Sequence, residues 1–286
     1  MWLVFSLLTA FFESLKDVFC KISLREADEY VVAWAIRFFS IPFLIPIFFF
    51  VDLPELDKQF WPALIIGGIL NMIATVFYMK ALKSSDLSIT VPMVTFTPVF
   101  LLITSPLMVG EFPTLSGLAG IILIVVGAYI LNIRDSKQGI RAPFKALMAE
   151  KGPRFMLVVA LIWSITSNID KIGVTHSSVV FWVTAINVVS AIFLFPVALY
   201  RTLNTGAGLY LKNLKTLLVV GFIAALRSMF QITAITLTLV AYVISVKRTS
   251  VIFGIFFGYL IFREKGFRER LLGAVVMVAG VFLITL

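Results

Sequence analysis

Apolar windows long enough to cross a bilayer, about 20 residues each, recur along the whole chain with only short polar breaks between them. They fall near 2–20, 31–51, 62–82, 87–108, 115–133, 155–173, 179–199, 214–235, 240–262 and 270–286. The predicted fold is all-α: an integral membrane protein of ten transmembrane helices.

The pattern also repeats within the chain, and repeats are the first thing to seek in such a sequence. A displacement of 150 positions superposes Ala10, Ser14, Lys21, Ser40, Phe43 and Pro46 on Ala160, Ser164, Lys171, Ser190, Phe193 and Pro196. A displacement of 153 superposes Gly68, Phe77, Ala81, Phe100, Glu111, Gly120 and Gly127 on Gly221, Phe230, Ala234, Phe253, Glu264, Gly273 and Gly280. Matches among Leu, Val and Ile come easily by chance; matched Lys, Glu, Pro and Gly at steady offsets do not. The organisation expected is a first five-helix repeat at 1–133, a basic linker at 134–153 and a second five-helix repeat at 154–286. The repeat also divides the unbroken apolar run 214–262. Its counterpart 61–108 is split by Lys83-Ser84-Ser85-Asp86, which predicts a break near Thr236–Leu239.

An odd number of spans per repeat requires the second repeat to enter the membrane in the opposite sense. Loop charge agrees. Lys21 and Arg25 follow the first span, and the counterpart near 173–178 has no Lys or Arg. The loop 52–60 is acidic, with Asp52, Glu55, Asp57 and Lys58, whereas its counterpart holds Arg201, Lys212 and Lys215. The turn at Glu111 has no basic residue; its counterpart carries Arg263, Lys265, Arg268 and Arg270. With Arg134, Lys137, Arg141, Lys145, Lys151 and Arg154 around the linker, nearly all loop cations gather on one side. The positive-inside rule makes that side cytoplasmic and puts both termini outside.

Composition narrows the class further. The chain is 60% hydrophobic and 14% charged, with a mean hydropathy of +1.05, against about 25% charged in soluble domains. That fits a multi-pass protein of the cell membrane, with the lipid bilayer as its surroundings. Met1-Trp2 opens the first span directly, so no cleaved leader is expected. The net charge of +9 belongs to loops that orient the chain, so nucleic acid is not an expected partner. A single Cys20 and a single His176 make a disulfide framework or a Cys/His metal site implausible. No cofactor is expected. No GxxxxGK[ST] segment exists to bind a nucleotide, and no HExxH or nucleophile–base pair suggests an enzyme.

Local signals add a resemblance. Arg37-Phe38 in the second span, Tyr78 with Ala81-Leu82 in the third, Pro92 and Pro98 in the fourth, and Gly110-Glu111 after it are echoed by Arg263-Glu264. In this order, over the whole chain, they resemble the drug/metabolite transporter superfamily in its ten-helix EamA-type form. The stretch Ala10–Ser23, with Glu13 eight residues before Lys21, is similar to the first helix of small multidrug exporters. There the matching glutamate binds protons and cationic drugs in turn. Lys247-Arg248-Thr249-Ser250-Val251 is similar to a helix of sugar-phosphate translocators whose Lys-Arg pair grips phosphate. The family resemblance implies both termini in the cytoplasm, opposite to the charge count.

Charges inside spans are the candidate chemistry, because each costs roughly 2.5–3.5 kcal/mol at the bilayer centre even on insertion scales. The first span holds Glu13, Lys16, Asp17 and Lys21; the matching span holds Ser164, Asn168 and Lys171 on one face, with Asp170 adjacent. Arg37 sits opposite Asn187 in the repeat, Arg227 and Gln231 are one turn apart, and Lys247 and Arg248 have no acid in their own span. Bland alternatives exist for most. Lys21 and Asp170 can snorkel from span ends, Glu13 can pair with Lys16 or Arg227, and Arg37 can pair with Asp17. The Gly120/Gly127 and Gly273/Gly280 pairs suggest close helix packing, and Lys247 shares a face with Gly254 and Gly258. His176, in a short loop, receives no role.

The expected function is secondary transport by alternating access at a site between the repeats. Lys247, Arg248, Arg227, Arg37, Gln231 and Tyr78 are the substrate-binding candidates, and Glu13 and Asp17 the proton carriers. The excess of cations suggests a small solute with an anionic group: an organic acid, an amino acid or a phosphorylated compound. Export of cationic or aromatic drugs through Glu13 is the alternative; a lipid enzyme or a non-transporting scaffold is more remote. Monomer and homodimer both remain open. Topology is directly testable: in a Cys20→Ser background, an impermeant thiol reagent on intact cells should label Leu56→Cys and not Ser136→Cys, and the opposite result reverses the orientation.

Overall fold

The structure is a computed structural model that describes residues 1–24, 27–84, 93–133, 150–205, 214–262 and 267–286. Expectations for Arg25, Asp86, Pro92, the linker from 134 to 149, Lys212 and Arg263–Lys265 lie outside the described residues. So do those for the side chains of Lys21, Leu82, Gly258, Arg268 and Arg270.

The described elements are all helical. They are α1 (Trp2–Ser23), α2 (Glu29–Leu44), α3 (Phe60–Ser84), α4 (Thr97–Val109), α5 (Leu115–Ile133), α6 (Lys151–Thr175), α7 (Val179–Thr205), α8 (Leu214–Leu237), α9 (Val240–Lys247), α10 (Ser250–Phe262) and α11 (Phe267–Thr285). Asp28 caps α2, its side chain accepting from the Tyr30 amide at 2.9 Å, as N-cap aspartates do. Past Pro42, α2 tightens into a 3₁₀ segment, Ile45–Phe50, with Pro46 near its start. Gly110 ends α4 in the left-handed region at φ 67°, where a side chain is strained.

Five described stretches are long and apolar enough to cross a membrane: Glu29–Phe50, Phe60–Ala81, Lys151–Thr175, Val179–Asn204 and Leu214–Leu237. Thr97–Val109, Leu115–Ile130 and Leu272–Thr285 are shorter apolar helices. The first helix fails that criterion because it carries Glu13, Lys16, Asp17 and Lys21. Phe38, Phe43, Phe49 and Phe50 are exposed, as a lipid-facing run requires.

The largest helix–helix contacts run between the two halves of the chain, not within them. They also come in matched sets. With α1 equated to α6, α2 to α7, α3 to α8, α4 to the α9–α10 pair and α5 to α11, the contact α1·α8 becomes α6·α3. Likewise α2·α8 becomes α7·α3, and α5·α11 maps on itself; all of these are large contacts. This is the pattern a two-fold relation between two repeats produces.

Glycine sets the tightest crossings. A Cβ on Gly120 would stand 2.6 Å from the Gly280 carbonyl oxygen, and one on Gly127 would stand 2.7 Å from that of Gly273. The displacement of 153 converts the first pair into the second. Likewise a Cβ on Gly68 would meet Val189, and one on Gly221 would meet the backbone of Phe39, residues that match under the displacement of 150. The predicted glycine packing is therefore real and symmetric.

The turn between α8 and α9 falls at Thr238-Leu239, inside the expected interval. Residues distant in sequence hold it. Glu111 Oε2 accepts from the Val240 amide at 2.7 Å, at the start of α9. Lys171 Nζ donates to the carbonyls of Ile235 (2.6 Å) and Thr238 (3.1 Å) at the end of α8 and lies 3.3 Å from Glu111 Oε1. An acid thus meets free amides and a cation meets free carbonyls, the arrangement helix termini favour.

The glycine crossings give a stability prediction. Gly120→Val and Gly280→Val should each destabilise the protein by about 1–3 kcal/mol, the usual cost of overpacking. Gly254→Ala should unfold near the wild-type temperature, since its Cβ would meet only Ser14 Oγ at 3.4 Å. Thermal unfolding in detergent measures all three.

Candidate functional site

Near the middle of the described helices, the two halves enclose a cavity of about 90 Å³. At roughly 10–15 Å³ per water on such a measure, that is room for about six to nine waters or part of a small organic solute. Glu13 and Lys16 come from α1, Arg37 from α2, Tyr78 from α3, Trp163 and Asp170 from α6, Arg227 and Gln231 from α8, and Lys247 from α9; Arg248 follows α9 directly. Every candidate binding residue read from the sequence lines this space, together with Glu13. Asp17 sits beside it, accepting from the Tyr78 hydroxyl at 3.3 Å.

Glu13 is the hub. Its Oε1 lies 2.7 Å from Lys16 Nζ, and its Oε2 lies 3.2 Å from Arg227 Nη1 and 3.3 Å from Lys247 Nζ. Gln231 Oε1 joins the same two cations, accepting from Arg227 at 3.3 Å and Lys247 at 2.9 Å. Lys16 also reaches Asp17 Oδ1 at 3.1 Å. Glu13 therefore combines both bland pairings, with Lys16 and with Arg227, and adds Lys247. Lys247 has no acid in its own span and is paired from another one, by Glu13 of α1.

Arg37 departs from its bland alternative. It does not pair with Asp17 but donates to the side-chain oxygens of Asn71 (3.3 Å), Thr75 (3.3 Å) and Asn187 (3.5 Å). Arg37 and Asn187 are repeat equivalents, so the contact lies on the pseudo-symmetry element.

Arg248 sits at an interruption. The ninth span, expected to be continuous over 240–262, breaks at Arg248-Thr249 between α9 and α10. There the amides of Arg248 and Thr249 bond the carbonyls of Ser245 and Val246, three residues back. The other half has the same tight turn: the Phe96 amide bonds the Met93 carbonyl just before α4 begins, and Phe96 corresponds to Thr249. Arg248 Nη2 bridges the two turns by donating to Thr97 Oγ1 at 2.8 Å. Among the described residues its buried Nε has no hydrogen-bond partner, and neither has that of Arg227.

One residue escaped the sequence reading. The Trp163 ring lies under both Lys247 Nζ (5.6 Å) and the Arg248 guanidinium (5.7 Å), within cation–π range. Tyr78 packs beside it at 5.2 Å between ring centroids and takes Lys16 at 5.8 Å. Trp163 is the repeat equivalent of Glu13, and that correspondence was the available signal. Asp170 does not snorkel: it lines the cavity and accepts from Trp182 Nε1 at 2.9 Å. Asn168 serves packing, bonding Thr104 and Ser105 of α4. His176 pairs with Asp57.

Known proteins decide the family. A sequence model of the EamA-like transporter family matches residues 1–133 and 151–286. The chain belongs to that family. This EamA-like protein is also similar in fold to a protein of known crystal structure. The TM-score is 0.72 at 15% identity, covering 98% of each chain. No curated protein matches it. The EamA-like chain is a multi-pass membrane protein of a transporter family.

The Asp170–Trp182 bond is open to a double-mutant cycle. Trp182→Phe should cost about 1.5–3 kcal/mol, the range for a hydrogen bond to a charged group, on top of any packing change. Asp170→Asn should recover part of that loss in the same background. Thermal unfolding of the two single variants and the double variant measures the coupling.

Proposed function

We propose that this EamA-like protein is a secondary transporter of the cell membrane for a small metabolite with an anionic group. It works by alternating access about the central cavity, on ten spans arranged as two inverted repeats, 1–133 and 154–286. The observation that carries this reading is the charge imbalance of the cavity wall. Lys16, Arg37, Arg227, Lys247 and Arg248 line it against only Glu13 and Asp170. Among the described residues, neither Arg37 nor Arg248 has a carboxylate within ion-pair distance. Buried donors left unpaired are costly, and an incoming oxyanion satisfies them. Organic acids, amino acids and phosphorylated compounds all present such a group.

The rival reading, export of cationic or aromatic drugs through Glu13, meets an obstacle. Lys16, Arg227 and Lys247 already occupy that carboxylate, so a cationic drug would have to displace them. The same contacts bear on energy coupling. Glu13 and Asp17 remain the candidate proton carriers, and exchange of one anion for another needs neither of them to titrate.

A thermal-shift screen of the purified protein should find stabilisation by anionic metabolites and none by cationic dyes, since specific ligands raise apparent stability. Arg248→Ala should then weaken binding of the identified anion by about one to two decades, the equivalent of one charge-assisted hydrogen bond. The variant should unfold at or above the wild-type temperature, because the unpartnered Nε is removed. Intact affinity with lost stability would instead make Arg248 a purely structural residue.

A further inference from the structure

We infer that Glu13 is a resident stand-in for the substrate's anionic group, holding Arg227 and Lys247 until substrate displaces it. The inference rests on the anionic-substrate reading and specifies how that site is kept when empty.

The two oxygens of Glu13 have different duties. Oε1 faces Lys16 of its own helix at 2.7 Å, whereas Oε2 reaches across to Arg227 and Lys247 at 3.2 and 3.3 Å. The contacts across helices are the longer ones. Gln231 Oε1 lies against the same Arg227 and Lys247. Two oxygens therefore share one pair of cations, a cradle already shaped for an oxyanion. Gln231 is fixed there as a neutral amide; Glu13 is the member with charge and with somewhere else to go. Lys16 also binds Asp17 Oδ1 at 3.1 Å, so it can keep Glu13 through Oε1 while Oε2 leaves the cradle.

The surroundings fit an exchange of anions at that point. Trp163 lies under Lys247 and Arg248 and bonds neither through hydrogen. Among the described residues the buried Nε atoms of Arg227 and Arg248 at the cavity have no hydrogen-bond partner. A substrate oxyanion entering beside Trp163 meets Lys247 and Arg248 first, then takes the Oε2 position against Arg227. Without substrate, Glu13 prevents Arg227 and Lys247 from facing each other unscreened, which lets the empty cavity stay closed. Glu13 is thus a competitor for its own substrate's site.

The test is binding of phenylphosphonate and benzoate, small oxyanions with a planar group suited to the Tyr78–Trp163 wall, measured by calorimetry on purified protein. Glu13→Gln removes the competitor at constant shape and should tighten binding of at least one probe by about ten- to a hundredfold. Because that variant also leaves Lys16 with less counter-charge, Glu13→Gln combined with Lys16→Met removes one charge of each sign. It should tighten binding in the same way. If the wild type binds a probe and the folded variants bind it equally or more weakly, Glu13 is not a stand-in, though the anionic-substrate reading survives. If neither probe nor any anionic metabolite binds the wild type or the variants, both readings fall.

Discussion

A charge in the middle of an apolar bundle has to be answered by opposite charge or by hydrogen-bonding groups, and here most of these come from another helix. Residues 214–262, which form α8, α9 and α10, contain Arg227, Lys247 and Arg248 and no Asp or Glu. α1 contains Glu13 and Asp17. That segment therefore cannot neutralise its cations alone, and α1 of the first half carries the acids that reach Arg227 and Lys247 directly or through Lys16, with Asp170 of α6 on the same cavity wall. The dominance of contacts between halves follows from that division, and the glycine crossing of α5 with α11 lets the far flank close as tightly. Neither half has a core of its own, and the core clusters draw residues from both.

A site on the element relating two repeats inherits their differences as well as their likeness. Arg37 faces Asn187, Glu13 corresponds to Trp163, and Arg248 corresponds to Thr95. At each position one half contributes charge and the other a neutral polar or aromatic partner. The cavity is consequently asymmetric in charge although the backbone around it is nearly symmetric. A two-fold scaffold that kept the same charge on both sides would place like charges face to face at the axis.

Five long apolar spans, the repeat and the turn between α8 and α9 were legible in the sequence, because long apolar windows and matched Gly, Pro, Lys and Glu survive without knowledge of packing. The cavity residues were legible too, since a charge inside a span is costly enough to stand out. Their partners were not. Lys247 has no acid nearby in sequence, and its contact with Glu13 joins residues at opposite ends of the chain. Arg37 was open to pairing with Asp17 because opposite charges attract, yet Asn71, Thr75 and Asn187 surround it. The break at Arg248-Thr249 left no mark, for neither Gly nor Pro is there; a single tight turn interrupts an apolar run whose composition does not change. Trp163 was passed over because an aromatic residue in an apolar helix is ordinary until cations are seen above its face.

The pairing of Glu13 with Lys16 on one helix face has a consequence for biogenesis. α1 is synthesised before α8 and α9 and has to enter the bilayer while Arg227 and Lys247 do not yet exist. A lone carboxylate at residue 13 would resist that step, but its neighbour three residues on neutralises it at once. The helix can therefore wait in lipid as a locally balanced segment through the synthesis of more than two hundred residues. When α8 and α9 arrive, unbalanced and basic, the waiting acid gives them a reason to dock where they do. Assembly order and the charge of the central cavity are thus written into the same four side chains.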